Sequence, residues 1–132
     1  MTPDDDPTIA DATLLYRRVH PTYIVHDDDG DCERVSSGAF KERSKEMSVH
    51  LGDVLEASGR EPAEIVEDLP HFLISLTAER VRAYCQVVVR SPTPSDDSHG
   101  DVIGSKSKTT RKGFAEAARW VVAPDNACAD PA

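Results

Sequence analysis

The apolar residues of this chain come in short runs broken by turn chemistry, and that brevity limits what it can fold into more than any other feature. LLYRRV and TYIV are strand-length pieces separated by His20-Pro21, a dipeptide that favours an extended break. MSVHL puts Met47, Val49 and Leu51 on one face, the period of a half-buried strand. FLISL and QVVVR are further strand candidates, with QVVVR the strongest, and DVIG is a short one. Continuous β-branched and apolar runs suit strands covered on both faces, so Phe72, Ile74 and Leu76 with Val87, Val88 and Val89 are expected at the centre of the core.

Helical signals interleave with these runs. GDVLEASGREPAEIVEDL predicts two short helices, with Asp53 as N-cap, Gly59 as stop and Pro62 in a first turn. In TAERVRAY, Thr77 can cap a helix whose first turn carries Glu79. RVSSGAFKERS predicts a turn feeding a short helix or irregular segment. In KTTRKGFAEAARWVV, Phe114, Ala118 and Val121 form an amphipathic stripe, and Gly113 is a mild internal cost. The expected class is α+β, one compact domain with a mixed sheet carrying about three helices. Residues 1–12 and 123–132 are rich in Pro and Asp and predict loose, disordered tails around a domain spanning 13–122.

Charge narrows the partners. The net charge of −9 disfavours nucleic acid and anionic membranes, because phosphate attraction supplies most non-specific affinity for them. That charge is unevenly spread: residues 1–33 carry −7 and residues 106–119 carry +4. No run approaches a membrane span, and the acidic N-terminus does not read as a signal peptide. Cys32, Cys85 and Cys128 are odd in number and widely spaced, which predicts neither a disulfide framework nor a zinc ribbon and places the chain in a reducing cytoplasm.

Candidate sites follow from motifs and their spacing. In HDDDGD, setting Gly30 at position 6 of a calcium loop puts Asp27, Asp29 and Asp31 at 3, 5 and 7, but Val25 at 1 and Ser36 at 12, so the bidentate ligand is missing. The expectation is a solvated turn and no specific metal. Metal ligation would need His26, Asp27 and Asp29 to meet Asp97 and His99 of the later DDSHGD loop. GDVIGSKSKTTRK fails as a Walker motif in its glycine and lysine spacing, and no GxSxG elbow accompanies the five histidines. Lys106, Lys108, Arg111 and Lys112 at a helix start instead predict a contact for an acidic partner or anion. No cofactor is called for.

Two resemblances add to this reading. LYRRVHP, VSSGAF and LISLT resemble the arrangement of ADP-ribosyltransferase-like and RES-type NAD-consuming domains. That resemblance implies Arg18 or His20 holding a dinucleotide, Ser36 or Ser37 supporting it and a glutamate such as Glu79 polarising a ribose hydroxyl, although the ExE or QxE pair of those domains is missing. The longer set LYRRVHP, SSGAF, MSV and ARWVV is similar to a family of small stand-alone bacterial proteins, a likeness that implies a bacterial domain and brings no activity with it. The expected function is a non-catalytic accessory component that binds another protein of its assembly through segregated acidic and basic surfaces. An NAD-consuming or nucleotide-binding enzyme is the alternative. An enzyme needs Arg18, His20 and Ser37 to converge on a concavity; an adaptor presents an apolar patch rimmed by charge.

Overall fold

The computed structural model describes residues 3–42 and 44–131. Six strands form one sheet: β1 (Leu14–Val19), β4 (Glu46–Leu51), β5 (Phe72–Thr77), β6 (Val87–Arg90), β7 (His99–Ile103) and β8 (Arg119–Val122). Their spatial order is β6-β7-β4-β1-β5-β8, and every pairing is antiparallel. A separate hairpin joins β2 (Ile24–Asp27) to β3 (Cys32–Val35). Among the described residues there are also three α-helices: α1 (Gly52–Ala57), α2 (Ala78–Arg82) and α3 (Lys108–Ala117). The α+β class expected from the sequence is what the structure shows.

Period-2 alternation sets the layers. Leu15 and Val19, Met47, Val49 and Leu51, Ile74 and Leu76, Val88 and Val102 all project to one face and are buried there. That face is covered by α3, α2 and a 3-10 turn over Ser37–Phe40. Phe114 of α3 is fully enclosed, with Phe40 and Tyr84 edge-on to it at centroid distances of 5.7 and 5.5 Å. On the opposite face Tyr16 and Leu73 form a smaller cluster with Leu55 and Val66, leaving the β4–β7 part of that face polar.

Four expectations are corrected. QVVVR is the outer strand β6, not a central one, and only Val88 of its three valines is fully buried. The amphipathic stripe ends early: α3 stops at Ala117, Ala118 is extended, and Arg119–Val122 pairs with β5 as β8, leaving Val121 exposed. Trp and paired valines suit a pleated ladder, and the free edge of β5 outweighs one more helical turn. The segment before Thr13 is no loose tail, since Ile9 is buried in the core and the carboxylates of Asp5 and Asp11 pair with Arg82. Asp5 and Asp6 also reach the edge strand, the Asp5 carboxylate accepting from Val88 N at 2.8 Å and Asp6 N donating to Val88 O at 3.0 Å. Met1, Thr2 and Ala132 lie outside the described residues.

The fourth correction concerns the cysteines and the C-terminal segment. Cys32 and Cys128 form a disulfide with their Cα atoms 4.9 Å apart, and Cys85 remains free and exposed. Backbone bonds from Glu33 N to Asn126 O and from Cys128 N to Glu33 O lay residues 126–128 along β3. Side-chain chemistry alone could not announce this pairing, because the two cysteines are 96 residues apart in sequence.

Candidate functional site

The residues named for a dinucleotide site do not converge. Arg18 projects from β1 on the face opposite the main core, because its neighbours Leu15 and Val19 occupy the core parity. His20 caps the following turn by accepting from Thr22 N, and its ring lies edge-on to His71. Ser37 sits on the core side, in the 3-10 turn, while Glu79 is exposed in the first turn of α2. Arg17, the neighbour of Arg18 in LYRRVHP, is the residue that reaches this turn. Its guanidinium donates to Ala39 O and Ser48 O and pairs with Glu42.

The two Asp/His loops lie at opposite edges of the fold. HDDDGD closes the β2–β3 hairpin, which packs toward Trp120 of β8; DDSHGD leads into β7 beside β6. His26 is spent within its own loop, against Asp31 and Glu33 at 3.2 Å each, and its hydrogen bond to Glu33 raises its pKa. Asp97 pairs with Arg60. His99, His26, Asp27, Asp29 and Asp97 therefore do not form one ligand set.

His99 instead faces His50, its direct cross-strand partner. His50 Nδ1 lies 3.1 Å from the Asp96 carboxylate and 3.3 Å from Ser98 Oγ, whose proton goes to Asp96 at 2.6 Å. His99 Nδ1 lies 3.0 Å from the Ser91 carbonyl and 2.8 Å from Ser91 Oγ, whose proton goes to Asp101. With acceptors facing them, both Nδ1 atoms carry hydrogen. Burial lowers the pKa of His50, against the opposing pull of Asp96, so the neutral form is favoured. His50 also forms part of the wall of a cavity of about 330 Å³ with Leu55 and Ile65.

The structure divides the four cations of the basic segment. Lys108 and Lys112 are exposed on α3, and Arg111 is half-buried. Lys106 turns inward: its Nζ donates to Lys45 O at 2.9 Å and to Val102 O and Gly104 O at 3.0 Å each. It is a structural group that ties the β7–α3 connection to the start of β4. Burial, with Arg17 beside it, lowers its pKa to about 8, opposed by Glu42. Between pH 8 and its ordinary value the unfolded chain holds the proton that the folded chain has released, so this group's contribution to stability rises with pH across that window. We expect the Lys106 ¹³Cε resonance to titrate near pH 8 and Lys106→Met to flatten the stability profile above it. A midpoint at the ordinary lysine value would show that the three carbonyls outweigh burial.

Lys112 and Ser37 do share a site. The hairpin and α3 enclose a groove of about 560 Å³, with Val25, Val35 and Ala115 among its lining. Asp27, Asp29 and Arg34 stand on the hairpin side, Lys112 and Glu116 on the helix side, and Ser36 and Ser37 at one end. Asp27, Arg34, Val35, Ala115 and Glu116 also line an adjoining cavity of about 190 Å³ bounded by Cys128 and Trp120. The acidic and basic segments, far apart in sequence, thus meet across one concavity. Neither charge count nor spacing could place them there, because the meeting depends on how the hairpin folds back over α3.

Comparison of the chain with protein-family models, curated proteins and solved structures finds no match in any of the three.

Proposed function

We propose that the protein is a non-catalytic interaction component of a larger bacterial assembly, and that it holds a partner protein in the groove between the β2–β3 hairpin and α3. The observation that carries this reading is an apolar lining of Val25, Val35 and Ala115 rimmed by both signs of charge. Protein interfaces combine a desolvated apolar centre with a polar rim, and complementary rim charge sets orientation and encounter rate. The occupant fitting this rim is an extended partner segment that sets a basic side chain against Asp29 and an acidic one against Lys112. The NAD-consuming alternative needs Arg18, His20 and Ser37 in one concavity, whereas Arg18 projects from the sheet face opposite the one that the Ser37–Phe40 turn covers. No helix among the described residues is long and apolar enough to cross a membrane. The Cys32–Cys128 disulfide removes the cysteine-based ground for a reducing cytoplasm, because disulfides persist mainly in oxidising compartments.

Charge reversal tests the groove. Purified from its native host, the wild-type protein and a Glu56→Lys control on α1 should bring down the same partner in equal amount. Asp29→Lys and Lys112→Glu should each lose it at least tenfold with unchanged melting, because both side chains are exposed and surface changes cost little stability. Equal recovery by all four proteins would remove the groove from the interface.

A further inference from the structure

We infer that Asp27, Cys32 and Cys128 form a redox-gated Zn²⁺ site, closed as a disulfide and competent for metal when the two sulfurs are reduced. This rests on the hairpin and the C-terminal segment, not on the partner reading. The two sulfurs and a carboxylate oxygen of Asp27 all lie within 4.8 Å of one another. Asp27 and Cys32 are direct cross-strand partners at the mouth of the hairpin. Cys128 is delivered by contacts that do not involve sulfur: Cys128 N donates to Glu33 O at 2.8 Å, Glu33 N to Asn126 O at 2.9 Å, and the Asn126 side chain to Asp31 O at 3.1 Å. Cleaving the disulfide therefore leaves both thiols beside each other.

The carboxylate is also pre-set. Asp27 Oδ1 accepts from Asp29 N at 3.0 Å and from Gly30 N at 3.4 Å, which fixes the group and, among the described residues, leaves Oδ2 without a hydrogen bond. Among the described residues, Arg34 Nε, at 3.9 Å from Oδ2, is the charged group paired with it. A Cβ on Gly30 would stand 2.9 Å from Cys32 Sγ and 3.9 Å from Asp27 Oδ2, so glycine keeps open the space between sulfur and carboxylate. Two thiolates and one carboxylate suit zinc, which takes sulfur at about 2.3 Å and oxygen at about 2.1 Å, with water as fourth ligand. Ligand atoms on such a tetrahedral ion are separated by about 3.8 Å or less, within reach of small movements here.

The chemistry balances with a cellular thiol as reductant. Two glutathione thiols are oxidised to glutathione disulfide, the Cys32–Cys128 bond breaks, and each protein sulfur gains a proton. Zn²⁺ then binds the two sulfurs as thiolates, and the two protons leave to solvent. In a reducing compartment the metal takes over the cross-link that the disulfide provides under oxidation.

The test uses the full chain carrying Cys85→Ser, which removes the exposed competing thiol. Reduced protein titrated with Co²⁺ should develop thiolate-to-cobalt charge-transfer and tetrahedral d–d bands at one metal per chain, and Zn²⁺ should displace them. Oxidised protein should show neither band. Asp27→Asn keeps both sulfurs and should weaken cobalt binding at least tenfold, and Gly30→Val should do so by occupying the open space. The ¹H–¹⁵N spectrum of the reduced protein reports whether residues 126–128 stay on β3. No cobalt bands in the reduced protein, whether or not that segment stays docked, would overturn the site. So would equal affinity in Asp27→Asn, or equal binding in the oxidised protein.

Discussion

Val88→Asp is expected to abolish folding at room temperature. Val88 is fully buried although it lies on an outer strand, because Asp5 and Asp6 fold over its backbone and the core closes over its side chain. A carboxylate there would have to ionise without a partner or stay protonated among apolar groups, a cost of several kcal/mol, on the order of the whole stability of a small domain. Circular dichroism should show loss of the cooperative melt. Val87→Asp and Val89→Asp, at half-buried positions on the other face of the same strand, should remain folded with lower midpoints. A Val88→Asp protein melting like the wild type would mean that β6 does not face the core as described.

The second large effect is expected at Gly113. A Cβ there would collide with the Tyr84 hydroxyl and the ring carbon that carries it, so the tyrosine lies across the helix at the point where no side chain projects. Tyr84 cannot swing away without losing its edge-on contact with Phe114, at the centre of the core. Gly113→Val should therefore destabilise the protein by about 1–3 kcal/mol, through overpacking and not through helix propensity. A double-mutant cycle separates the two causes. In a Tyr84→Ala background the collision disappears, and Gly113→Ala should then be neutral or stabilising by up to about 1 kcal/mol, the usual helical preference for alanine over glycine. Equal cost of Gly113→Ala in both backgrounds would refute the close approach.

That glycine marks the boundary of what the sequence could convey. The alternation in MSVHL was enough to assign β4 and its buried face, because a pleated strand commits every second side chain to one side, and the continuous apolar run FLISL was enough to assign β5 as a strand covered on both faces. Thr77 as the cap of α2 was also legible, since the cap depends on residues only three apart. What escaped depends on distant partners. QVVVR has the composition of a central strand and becomes an edge, because strand order is set by which ladders close, not by which run is most β-branched. RWVV extends a helical stripe in sequence and pairs with β5 in the fold. Lys106 was indistinguishable from Lys108 and Lys112 until the carbonyls of Lys45, Val102 and Gly104 were seen to surround it. The groove shares this character: Asp29 and Lys112 were both visible as charges, while their meeting across Val25 and Val35 was not.

Both outer strands of the sheet end on an aspartate. Val88 N of β6 donates to the Asp5 carboxylate, and Trp120 N of β8 donates to the Asp130 carboxylate. An exposed strand edge is a template on which another chain can add, extending the sheet toward fibrils. Here an outward amide on each edge is already occupied, and by a negatively charged group that also repels an incoming acidic copy. The short segments flanking the domain thus act as chain terminators for sheet growth, keeping an antiparallel six-stranded layer from becoming the first layer of an aggregate.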